Sequence, residues 1–72
     1  MTHYVLLDYR TASKRDYDYY TCRFLNVEKL DEAITEAQSY MCLHNSHHCK
    51  LYRSNNLDHC VRVVYNQFYK KY

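Results

Sequence analysis

The clearest hydrophobic pattern in the chain lies between Val27 and Leu43. There Leu30, Ala33, Ile34, Ala37 and Met41 follow one another at three- and four-residue intervals. That spacing places them on one face of an α-helix, with Asp31, Glu32, Thr35, Glu36 and Gln38 on the solvent arc. Asn26 is the expected N-cap, and the early acids Glu28, Asp31 and Glu32 suit the positive end of the helix dipole. No other segment has this period, so the helix must bury its stripe against strands.

The flanking segments alternate instead. Residues 3–10, HYVLLDYR, predict a strand with Val5, Leu7 and Tyr9 inward. The charges of Asp8 and Arg10 mark the other set, Tyr4, Leu6, Asp8 and Arg10, as the solvent side. The polar run 11–16 is the expected hairpin loop, and 17–25 the returning strand, with Tyr20, Cys22 and Phe24 inward and Tyr19, Thr21 and Arg23 outward. After a polar connection at 44–48, a strand is expected at 49–53 and a longer one from Asp58 or His59 to Tyr65. Pairing Cys49 with Val63 and Leu51 with Val61 keeps charge out of the core and requires an odd-numbered loop centred on Asn55, Asn56 and Leu57. Lys50, Tyr52, Arg62 and Val64 then point outward. Residues 66–72 either prolong the last strand or form a basic aromatic tail. The expected fold is a single α+β domain over 1–72: β-β-α-β-β, a four-stranded, mostly antiparallel sheet with one helix on one face.

Composition changes this picture in three ways. A chain of 72 residues supports only a thin core and disfavours an enclosed active-site cavity. Ten tyrosines must carry much of the packing, and their polar tips suit half-exposed positions. Glycine and proline are absent, so turns fall to Asn, Asp and Ser. Without glycine there is no phosphate-cradling loop, dinucleotide fingerprint or nucleophile elbow. Net charge is +2, but 27–43 carry an excess of acids and the remainder an excess of bases. An acidic helix opposite a mildly basic sheet is therefore expected.

Four cysteines and no leader or membrane-length apolar run suggest a cytoplasmic protein with free thiols. Cys42, His44, His47 and Cys49 are the candidate ligands should a metal bind, yet they lack the paired spacing of zinc knuckles. No cofactor is expected. A thiol nucleophile would need a base, an oxyanion site and a cleft, and a small glycine-free domain offers little of these, so no enzyme is expected.

The sheet face away from the helix is the more informative candidate. Tyr4, Tyr19, Arg23, Lys50, Tyr52 and Arg62 are expected to share it as a contact surface. Tyrosine and arginine together suit a protein hot spot, and equally a single-stranded nucleic-acid platform. The low net charge and the lack of an aromatic RNA-binding motif favour protein. The acidic helix face is the other candidate contact, and an exposed edge strand offers a route to a dimer.

The strand YVLLDYR, the helix LDEAITEAQ and the strand CVRVVY, in the order hairpin, helix, hairpin from Tyr4 to about Tyr65, give the chain its one resemblance. The layout is similar to small accessory proteins of phages, in particular some anti-CRISPR inhibitors of type I systems. The resemblance is architectural and transfers no functional residue. It implies a compact, non-catalytic protein acting in the host cytoplasm, which blocks a defence nuclease or ribonucleoprotein complex by covering its surface.

Overall fold

The structure is a computed structural model that describes residues 3–13 and 15–71. Lys14 of the expected loop and Tyr72 of the expected tail lie outside the described residues. Strands β1 (Tyr4–Tyr9) and β2 (Thr21–Leu25) precede helix α1 (Leu30–His44), and β3 (His48–Arg53) and β4 (Asn56–Tyr65) follow it. The four strands form one antiparallel sheet in the order β2-β1-β3-β4, with the helix on one face, so the expected β-β-α-β-β fold is the observed one. Because β1 lies between β2 and β3, the helix carries the chain across it from one edge strand to the inner strand beyond.

The helix stripe forms as its spacing dictates. Ala33, Ala37 and Met41 are fully buried, flanked by the partly buried Leu30, Ile34 and Tyr40. Two alanines at the centre let the helix sit close to Leu6 and Leu51, which are also fully buried. The N-terminus differs from expectation: Lys29 rather than Asn26 takes the cap position, and no side chain caps it. The first intrahelical bond runs from the Ala33 N–H to the Lys29 carbonyl at 3.0 Å. At the other end Asn45 takes a left-handed conformation (φ 51°, ψ 45°), and its N–H bonds the Met41 carbonyl. Asn tolerates this region better than most side-chain-bearing residues, so here it does what a glycine usually does. Asn66 completes the cap, its Nδ2 donating to the Met41 carbonyl at 3.2 Å and to the Ser46 carbonyl at 2.8 Å.

The facing of β1 and β2 is the reverse of that expected. Tyr4 (3 % exposed), Leu6 and Asp8 lie under the helix, and Val5 and Leu7 face the open side. Asp8 misled the reading because its charge is compensated inside: Arg10 Nε donates to Oδ2 at 2.9 Å, and the Thr21 hydroxyl lies 3.5 Å from the same oxygen. The pairs Leu6–Arg23 and Leu7–Cys22 carry the reversal into β2. Arg23 and Thr21 therefore join Leu25 on the helix side, while Cys22 and Phe24 face outward. The Thr21 and Tyr40 hydroxyls share a hydrogen bond of 2.9 Å, and the Arg23 guanidinium lies 5.4 Å from the Tyr40 ring centroid.

The second hairpin is one residue out of the expected register. Cys49 pairs with Val64 and Leu51 with Arg62, so Val64 is buried and Arg62 lies on the helix side of an edge strand. The turn is the two-residue Ser54–Asn55, closed by the Arg53–Asn56 pair, in place of an odd-numbered loop. Among the described residues only Asn45 has a positive φ, so this turn lacks the left-handed residues of tight hairpins whose twist matches their strands. Register shifts on both sides of Tyr52 take up the mismatch by bulging β4.

Truncation at the helix–sheet contact should cost most. We expect Met41→Ala to lower unfolding free energy by about 2–5 kcal/mol, read from urea titrations. Leu43→Ala, on the exposed side of the same helix, should change it by less than about 0.5 kcal/mol.

Candidate partner-binding face

The side of the sheet that the helix leaves uncovered is not a plain surface. The connection between β1 and β2 does not run as a simple loop into a long strand. It makes a short 3-10 turn at Asp16–Asp18 and folds over one end of the open face. Two contacts hold it there. The Tyr9 hydroxyl donates to the Asp16 carbonyl at 2.8 Å, and the Lys50 ammonium is hydrogen-bonded and ion-paired to the Asp16 carboxylate. Tyr9, which the alternation places on the open side, is consequently fully buried. Burial raises its phenol pKa above 10.0, against the opposing pull of Lys50. The hydrogen bond to Asp16 raises the Lys50 pKa.

A groove of about 670 Å³ runs beside this turn. Its floor is Val5 and Leu7 of β1, Cys22 of β2, Tyr52 of β3 and Val63 of β4. One wall is Asp16, Tyr17 and Tyr19; the other is Leu57 and Asp58, in the bulged start of β4. Tyr17 and Leu57 are 72 % and 60 % exposed, whereas Tyr52 is 9 % exposed, a floor residue rather than a projecting one. Burial raises the Tyr52 pKa, with the neighbouring Cys60 adding to the effect. Phe24, beside the groove on edge strand β2, is also exposed and packs at 5.3 Å against the His3 ring.

The six residues expected to share this face do not. Tyr19, Lys50 and Tyr52 line the groove. Tyr4 is in the core beneath the helix, and Arg23 and Arg62 lie on the helix side through the reversed β2 facing and the shifted β4 register. Sequence reasoning missed Val5, Leu7, Asp16, Tyr17, Cys22, Leu57, Asp58, Cys60 and Val63. The first two were available as the alternative set of β1. Leu57 and Asp58 had no usable signal, because the bulge that turns them into the wall is not written in any alternation.

Beyond the groove, Tyr9, His48 and Tyr65 form a cross-strand row, with Tyr9 and His48 stacked at 4.5 Å. The Nδ1 atoms of His47 and His48 lie 2.9 Å apart, so one imidazole donates to the other. Burial lowers the His48 pKa, and His47 and Lys50 reinforce the shift. The candidate metal ligands do not converge: Cys49 is under the helix, Cys42 and His44 are exposed on it, and His47 is in the loop that follows. Among the described residues no group of three His, Cys, Asp or Glu side chains is arranged to hold a metal ion. No described helix is long and apolar enough to cross a membrane. No protein family matches the sequence, and no curated protein or solved structure is significantly similar to it.

Two outcomes follow from the buried groups. Burial pushes the Cys49 thiol up to about 12, so a thiol-specific reagent should modify the exposed Cys22 and Cys42 in the native protein and reach Cys49 only on unfolding. His48 takes up a proton less readily folded than unfolded, so its neutral form favours the fold. Stability should therefore decline as pH falls below the ordinary imidazole value of 6.5 and level off once the folded-state group has titrated. His48→Phe, which keeps a ring against Tyr9, should show a smaller loss across that window in urea midpoints.

Proposed function

We propose that the chain is a non-catalytic binding module that grips a protein partner through the open face of its sheet. The observation that carries this reading is a separation of chemistries. Tyr17, Tyr19, Phe24, Leu57 and Val63, all exposed, lie together on the open side, while Arg23 and Arg62 lie on the helix side. Lys50, the only cation lining the groove among the described residues, is held by Asp16. A nucleic-acid platform needs cations interleaved with its rings, whereas an apolar, tyrosine-rich surface suits a protein hot spot. The groove is open and contains no histidine beside Cys22 or Cys60 among its described lining residues, which favours binding over thiol chemistry. The hairpin–helix–hairpin layout makes a phage or mobile-element inhibitor of a host defence complex, acting by occlusion in the host cytoplasm, the first biological role to test.

Paired surface variants separate the faces. With a partner captured from the natural host and then purified, Tyr17→Ser with Leu57→Ser should weaken binding by about tenfold or more, as truncated hot spots do. Glu32→Gln with Glu36→Gln on the helix should leave it unchanged; the opposite pattern moves the interface to the helix. The inhibitor role predicts that expressing the chain restores plaque formation by a phage under type I interference. Unchanged plating would remove that role and leave the binding surface standing.

A further inference from the structure

We infer that the groove takes an extended peptide segment that is apolar along one side and carries lysine or arginine at its margin, an inference that rests on the open face being the partner surface. The floor of Val5, Leu7 and Val63 asks for apolar side chains. The walls set the charge. Asp16 stands on one and Asp58 on the other, while the lining's one cation, Lys50, is bonded to Asp16 and lies 5.1 Å from the Tyr9 ring centroid. A groove with two carboxylates and one engaged ammonium is thus locally negative on a chain whose net charge is +2. The Asp58 carboxylate has no hydrogen-bond or ion-pair partner among the described residues.

Each class of occupant meets these walls differently. An acidic strand or a phosphate backbone would bring like charge against Asp16 and Asp58. A purely apolar segment would strip water from Asp58 and return nothing for it. A cationic side chain instead pairs with Asp58 and finds the exposed rings of Tyr17 and Tyr19 on the facing wall, where an ammonium or guanidinium lies well against a π-face. Exposure of Asp58 keeps the ionic part modest, so the apolar floor must supply most of the affinity and the acids must supply the selectivity.

Two labelled hexapeptides test this against the intact chain: one alternating lysine and leucine, one alternating glutamate and leucine. The lysine peptide should bind, shifting the amide resonances of Val5, Leu7, Tyr52 and Val63, and the glutamate peptide should not. Asp58→Asn should weaken the lysine peptide about two- to fivefold, the range of an exposed pair, and Asp58→Glu should restore it. Equal binding of the two peptides, shifts confined to Asp31, Glu32 and Glu36 of the helix, or an unaltered affinity in Asp58→Asn would each overturn the inference. The underlying reading fails separately. If Tyr17→Ser with Leu57→Ser releases the purified partner but the lysine peptide does not compete with it, the face is right and the assigned chemistry is wrong. If neither affects partner binding, both fall.

Discussion

Everything about this molecule's surface follows from how one helix is seated. Ala33 and Ala37 present almost no side chain, so the helix axis approaches the sheet closely and Met41 fills the end of the contact. Opposite them stand Leu6 and Leu51 on the two central strands, with Leu25 and Val64 closing the edges. In antiparallel pairs, directly opposed residues lie on the same side of the sheet. Once Leu6 is drawn under the helix, Arg23 across from it must go there too, and Val5, Leu7 and Cys22 must go to the other side. The choice made at one core position is thereby transmitted to the edges, and it decides which side chains remain for a partner.

A second constraint acts on the side left open. Four strands and a helix would leave Tyr9, Lys50 and Tyr52 in water, but the β1–β2 connection returns over part of that face, fixed through Asp16 to a phenol on β1 and an ammonium on β3. The Asp16 side chain is largely exposed, so the ion pair itself adds little to stability. Its larger effect is positional. It holds Tyr17 and Tyr19 at the border of the sheet face, where they line the groove.

Much of the fold was legible in the sequence, and the reasons for the remainder are physical. The helix could be read because its stripe and its solvent arc differ sharply. The strand order β-β-α-β-β could be read because polar connections separate the apolar runs. The facing of β1 could not, since Val5, Leu7 and Tyr9 are as apolar as Tyr4 and Leu6, and a central strand is covered to some degree on both sides. The one discriminating signal, the charge of Asp8, pointed the wrong way because Arg10 pairs with its Oδ2 inside the fold, with Thr21 beside the same oxygen, even though its buried Oδ1 is left without a partner. The β3–β4 register was misplaced for a related reason: a turn without a left-handed residue forces bulges, and bulges break the parity on which alternation depends. The site inherits both errors. Tyr19, Lys50 and Tyr52 were placed on the correct side, while Tyr4, Arg23 and Arg62 were not.

Those bulges have a bearing on how the protein persists in a crowded cell. β4 is ten residues long and outermost in the sheet, and among the described residues no strand lies beyond it. A straight ribbon of that length, rich in valine, would offer its unsatisfied amides to any passing chain and seed fibrils. Register shifts on either side of Tyr52 interrupt the β3–β4 ladder, and the side chains of Asp58 and Arg62 add charge along the rim. The irregularity that defeats a simple register is thus also a safeguard of solubility in a sequence that has neither proline nor glycine with which to blunt its border.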